Sequence, residues 1–244
     1  MALLMMGAMV LFDPSNPGKS HASNSFALVE LFTSEGCSTC PPADELLARI
    51  RKEYKSNVYV LGFHVDYWNS LGWKDQFSDP SYSKRQQEYA GVFHLSSIYT
   101  PQIIVNGKSQ FVGSDEHQLR KTLDEELKSS SGSPLVLSAN VSAKKEVQVH
   151  YHIDSLHEQF LHVALIQFHA STQVKKGENQ GKQLQHVNLV RDFKSLIIDR
   201  GKPSRGTVVF SIPSELSTSD CGIIGYLQEK QTLQVRAAVQ IPLQ

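Results

Sequence analysis

Apolar positions along the first half of the chain follow two different rhythms. FALVELF (26–32) is a short β-branched and aromatic run that reads as a strand. GCSTCPPADELLARIRKEY, directly after it, changes to helical spacing: Leu46, Leu47 and Ile50 share one face, and Asp44 and Glu45 occupy the early turns where a helix dipole favours acids. NVYVLGFHV (57–65) is a second apolar run, short enough for a buried strand. The aromatic, breaker-rich stretch DYWNSLGWKDQFSDPSYSK then leads into a predicted helix from about Ser81 to Phe93. TPQIIVNGKSQFVG predicts strand, Asn106-Gly107 turn and strand, and Ser114 or Asp115 caps a last helix, EHQLRKTLDEELK.

Past SSSGSP (129–134), a Ser/Gly/Pro linker by composition, no helical period is convincing. LVLSANVS, EVQVHYHI, LHVALIQFHAS, GTVVFSI and TLQVRAAVQI alternate as strands between turn residues, the pattern of a small antiparallel sandwich. No internal repeat is visible.

Composition narrows the function classes. Hydrophobic residues at 40% and charged residues at 20% suit a packed globular chain, and Lys+Arg 24 against Asp+Glu 24 leaves no basic excess for nucleic acid. Lys144-Lys145 and Lys175-Lys176 read as solvated turns. The opening MALLMMGAMVLF is too short to cross a bilayer comfortably, so no stable membrane span is expected. With the polar stretch after it and the small-residue spacing Ser20-His21-Ala22, it reads as an export signal within residues 1–24, although no Lys or Arg precedes the apolar run; an irregular tail is the alternative. The expected destination is the periplasm or the exterior. Glycine-rich phosphate loops and Gly-x-Ser-x-Gly elbows are absent from the sequence, which removes nucleotide chemistry and serine hydrolysis.

The candidate chemistry is Cys37-Ser38-Thr39-Cys40 followed by Pro41-Pro42. A cysteine at a helix start is stabilised as thiolate by unpaired N–H groups and the helix dipole, so Cys37 is expected to attack and Cys40 to resolve. The two prolines suit a first turn. Half of a zinc site looks the same, but no second Cys pair follows, and Cys221 reads as a small buried hydrophobe. His64 and Asp66 close the second strand, where Asp66 is a candidate proton acceptor for Cys40 and His64 a candidate thiolate tuner. Cys37, Cys40 and His64 also make a possible Cu(I) set, copper being the alternative to no cofactor at all. Tyr67, Trp68 and Trp73 can roof a groove or simply cover a core. Glu35 is expected to point to solvent, Arg85 and Gln86 to serve packing or surface, His150 and His152 to lie on a wet face, and His186 and Arg191 to position one module on the other.

Thr100-Pro101 stands immediately before the strand QIIVNG. With the strand, CxxC and helix upstream, this order resembles the thioredoxin superfamily over residues 26–128, which implies a cis peptide at Pro101 and a substrate groove lined by Thr100 and Pro101. FTSEGCSTCPPAD, HVDYWNSLGW, SDPSYSKRQQEYA, TPQIIVNG and GENQGKQLQHVNLVR (177–191) together resemble the DUF1223 family, understood as secreted thioredoxin-like proteins. That likeness implies fold and export and supplies no substrate. The expected fold class is therefore an α/β thioredoxin-like domain at 25–128, a linker at 129–134, and an all-β, sandwich-like C-terminal module at 135–244. The expected activity is thiol–disulfide exchange with a protein or small-molecule thiol or disulfide. The alternative is an envelope binding protein whose CxxC is structural or holds metal.

Overall fold

A computed structural model describes residues 19–23, 25–54, 56–129, 135–154, 158–201 and 203–244. The apolar start through residue 18 and linker residues 130–134 lie outside them. The elements run β1 (Lys19–His21), β2 (Ala27–Thr33), α1 (Pro41–Glu53), β3 (Val58–His64), α2 (Pro80–Val92), β4 (Gln102–Val105), β5 (Ser109–Val112) and α3 (Glu116–Lys128). They continue with β6 (Leu135–Val141), β7 (Glu146–Asp154), β8 (Gln159–Gln173), β9 (Gln183–Ile198), β10 (Pro203–Ser211), β11 (Cys221–Glu229) and β12 (Val235–Pro242).

Local chemistry explains the helices and the hairpin. Pro41 and Pro42 open α1, where a missing N–H removes nothing the helix would use, and Arg51 and Lys52 sit in its last turn. Asp79 caps α2 by accepting from the Ser81 amide, and Asp115 caps α3 by accepting from Gln118. Asn106 and Gly107 both take positive φ (48° and 64°) between β4 and β5, as the turn requires. Gly107 has a second constraint: a Cβ there would lie 1.8 Å from the Leu233 carbonyl oxygen.

The expected fold class is not what forms. Strands account for 45% and helices for 21% of the described residues, with only three α-helices, so the protein is mainly β rather than an α/β domain followed by a β module. One eight-stranded sheet, in the order β12-β11-β8-β9-β3-β2-β4-β5, runs across the expected boundary, and a four-stranded antiparallel sheet, β1-β6-β7-β10, lies apart from it. The join is β9, which runs parallel to β3 with Gly62 opposite Leu189. The physical reason is an unfilled edge. β3 is buried from end to end except at Tyr59, and a buried strand needs partners for its N–H and C=O groups on both sides. β2 supplies one side; β9, whose interleaved polar residues conceal a strand, supplies the other.

Three cores follow. Leu137, Val149 and Phe210 of the small sheet pack on Val163, Ile223 and Val239 of the large one. Leu46, Leu47, Ile50 and Leu119 of α1 and α3 cover Val29, Val60 and Ile103. On the opposite face, Tyr82 and Tyr89 of α2 meet Phe32, Phe63 and Tyr226. Glu30 is buried there in a bidentate pair with Arg85 (2.9 and 3.0 Å) and accepts from the Tyr226 hydroxyl at 2.9 Å, which ties α2 to β2 and β11. No helix among the described residues is long and apolar enough to cross a membrane.

Candidate functional site

The carboxyl ends of β2 and β3, where Thr33 pairs with His64, meet the start of α1. Cys37 and Cys40 form a disulfide there, with Cα atoms 5.4 Å apart. It is Cys40, not Cys37, that occupies the cap position of α1, and its carbonyl accepts from the amides of Ala43 and Asp44. With prolines in the first two helical positions, the amides expected to stabilise a Cys37 thiolate are fewer than the motif suggests. Both cysteines are fully buried, whereas Ser38 and Thr39 between them are exposed. The Thr39 hydroxyl lies 3.3 Å from Cys37 Sγ.

Four neighbours hold this loop. Asn179, buried in the connection between β8 and β9, donates to the carbonyls of Glu35 (2.9 Å) and Cys37 (2.8 Å), and the Ser38 amide donates to Glu178 at 3.0 Å. Trp68 lies against Gly36, where a Cβ would come within 3.1 Å of the Trp68 Cβ, and its indole N–H donates to Thr100 at 2.8 Å. Trp73 donates to Glu35 at 2.8 Å. The Thr100-Pro101 peptide is cis, and Pro101 is buried beside Gly113 and accepts its amide at 2.8 Å.

Beside the disulfide lies a buried acid–base cluster. His64 Nδ1 is 2.6 Å from Asp75 Oδ2, the same oxygen that accepts from the Glu35 amide at 2.9 Å. His186 of β9 sits with Nε2 3.4 Å from Glu35 Oε1 and Nδ1 3.5 Å from Asp44 Oδ1, ion-pair distances rather than aligned hydrogen bonds. Asp44 Oδ2 accepts from the Thr33 hydroxyl at 3.0 Å. Phe77 stands edge-on to both imidazoles. Burial by itself pushes His186 down, but the Asp44 and Glu35 carboxylates raise it to about 10. Burial works to raise Asp75, and His64 with the amides of Glu35 and Phe77 brings it below the usual carboxylate range.

Several expectations change place. Glu35 is wholly buried rather than solvated, because Trp73, His186 and Asn179 enclose it. Asp66 accepts from Ser83 of α2 instead of serving Cys40, and Tyr67 donates to Gln86. Among the described residues, the donor atoms grouped with that of His64 within 4.8 Å are those of His186 and Asp44, while Cys37 and Cys40, the other members of the expected Cu(I) set, are bonded to each other. Arg85 and Gln86 serve packing, and Cys221 is a buried core residue. His150 bonds to Thr207 at the surface, and Arg191 reaches Gln167 and Glu215. Asp75 and Asn179 escaped the sequence reading. Asp75 is one of three aspartates in an aromatic loop with no periodic signal to single it out; Asn179 lies within the stretch GENQGKQLQHVNLVR (177–191).

A family model described as "Protein of unknown function (DUF1223)" matches residues 28–228. Among solved structures, the chain is similar to protein AGR_C_4864 from Agrobacterium tumefaciens, with 28% identity, a TM-score of 0.68, and coverage of 90% of this chain and 96% of that one. A domain of the outer membrane lipoprotein Omp28 from Porphyromonas gingivalis gives 15% identity, a TM-score of 0.27, and coverage of 45% and 93%. No curated protein matches the chain.

Proposed function

We propose that this chain, which belongs to DUF1223, a family of unknown function, is an exported protein that exchanges thiols and disulfides through Cys37 and Cys40. The observation that carries the reading is a disulfide closing a solvent-exposed turn at the head of α1, with Ser38 and Thr39 facing water. As a staple such a bond achieves little: closing a ring across a sequence separation of 3 stabilises by about 2 kcal/mol on the loop-entropy model, less than a bond joining distant segments. A partner thiolate must approach in line with the S–S bond, so exchange requires the loop's cover to move. The contacts made by Glu178 and Asn179 are three hydrogen bonds, worth about 2–4 kcal/mol together, so opening fits a local fluctuation rather than unfolding. The partner is a protein or small-molecule thiol, or a disulfide once Cys37 and Cys40 have been reduced, met in that open state in an oxidising compartment, periplasmic or extracellular.

The test is insulin reduction by dithiothreitol, or refolding of a scrambled disulfide protein, with Cys37→Ser as control. Wild-type activity equal to that of Cys37→Ser removes the reading. Full burial of both sulfurs favours a second one, a structural disulfide in a binding protein. Equilibration with glutathione buffers separates the two. An exchange couple titrates above about −270 mV, whereas a structural bond resists reduction to below about −300 mV.

A further inference from the structure

The acid–base cluster contains groups that thiol exchange does not use. Among the described residues, His64 Nε2, both ring nitrogens of His186 and Glu35 Oε1 have no hydrogen-bond partner, although they are inaccessible to solvent. Leaving a buried polar atom unmatched costs about 1–3 kcal/mol; His186 Nε2 and Glu35 Oε1 at least face each other at 3.4 Å, which leaves His64 Nε2 and His186 Nδ1 as the two that call for a missing partner. One donor atom each from Asp44, His64 and His186 lies within 4.8 Å of the other two.

We propose that Asp44, His64 and His186 bind a divalent transition-metal ion, independently of what the disulfide does. The outer contacts have the form such a site needs. Each histidine presents one nitrogen to a carboxylate that can fix its tautomer: His64 Nδ1 to Asp75 at 2.6 Å and His186 Nε2 to Glu35 at 3.4 Å. That leaves His64 Nε2 and His186 Nδ1 as ligands, with Asp44 Oδ1 already 3.5 Å from the latter. The orienting groups are themselves held, Glu35 by the Trp73 indole and Asp44 by the Thr33 hydroxyl. Ligands at 2.0–2.1 Å around a tetrahedral ion stand about 3.3 Å apart, so small rotations close the set. Two imidazoles and one carboxylate suit zinc or another borderline divalent ion better than calcium or magnesium, which prefer all-oxygen shells. A cleft of about 70 Å³ lined by Pro41, Asp44, Glu45, Gln183, Leu184 and Gln185 reaches Asp44 from outside and offers a route in. Three protein ligands leave a fourth position for water, the arrangement of reactive rather than structural zinc sites.

The experiment loads the full chain with zinc sulfate, desalts it and counts metal by atomic emission, with cobalt(II) absorption reporting coordination. Wild type should retain about one zinc per chain, and Cys37→Ser/Cys40→Ser should retain the same amount. His64→Gln and Asp44→Asn, checked for folding by circular dichroism, should bind at least about a hundredfold more weakly. Asp75→Asn covers the case in which those variants do not fold: it should keep the stoichiometry and weaken affinity about 10- to 100-fold. Folded wild type that keeps less than about 0.1 zinc per chain, loss of zinc on removing the cysteines, or affinity unchanged in every folded ligand and Asp75 variant would overturn the assignment.

Discussion

His186 meets His64 edge to face, with ring centroids 4.5 Å apart and planes at 84°. One belongs to β9 and the other precedes it by more than a hundred residues in β3. The contact exists because β9 fills the open edge of β3, so the site is a product of the same pairing that makes one sheet of the chain.

Asn179 is the residue whose loss should most directly free the disulfide loop. Asn179→Ala removes two hydrogen bonds to the carbonyls of Glu35 and Cys37, about 1–3 kcal/mol of closure. The rate at which dithiothreitol reduces the native disulfide should rise about tenfold, read by alkylation and mass shift. An unchanged rate would mean that something other than this contact keeps reductant out.

Glu30 and Arg85 are nearly inaccessible and bonded to each other, with Arg85 stacked over Tyr89 and Phe193. Arg85→Met strands a buried carboxylate and should cost about 3–5 kcal/mol in urea unfolding. The double variant Glu30→Leu/Arg85→Met removes both charges and should recover most of that loss. Equal destabilisation in the single and double variants would show that packing, not the unpaired charge, sets the penalty.

His162 gives the chain a pH sensitivity of definite sign. Burial first, then the nearby Arg85 charge, holds its imidazole well below the ordinary value of 6.5, so the folded protein keeps it neutral. The unfolded chain takes up a proton as pH falls through about 6.5, and folding stability therefore drops on the acid side. From pH 7 to pH 5 the loss from this group is about 2 kcal/mol. Chemical denaturation at the two pH values should show a shallower dependence in His162→Gln by that amount, and parallel dependences would refute the assignment.

Gly107 answers to two constraints at once, a positive φ and the Leu233 carbonyl. Gly107→Ala should lower stability by at least about 2 kcal/mol, because the strand entering β12 has to move aside. A melting temperature within a degree of wild type would show that the turn adapts.

Much of the local structure is readable in the chain. Leu46, Leu47 and Ile50 mark the buried face of α1, Asp115 caps α3, and Asn106-Gly107 makes the β4–β5 turn, since each depends on a few adjacent residues and fixed backbone geometry. The Cys37–Cys40 pairing is equally local. The partition into two modules was not legible. It rested on a composition change after residue 128, whereas strand partners are chosen by which buried edge is open, and an edge has no marker in the sequence.

The site divides the same way. By itself the sequence determined the three helices, the Asp115 cap, the β4–β5 turn and most strands, because those interactions span only a few residues, but it left β1, β9 and β11 unmarked. Only the tertiary structure decided that Glu35 is enclosed, that Asp66 turns to Ser83, and that His64, Asp75 and His186 meet beside Asp44. Burial and long-range pairing are properties of the whole sheet: which side chains lose water depends on the strand that arrives next door, and β9 arrives from far along the chain.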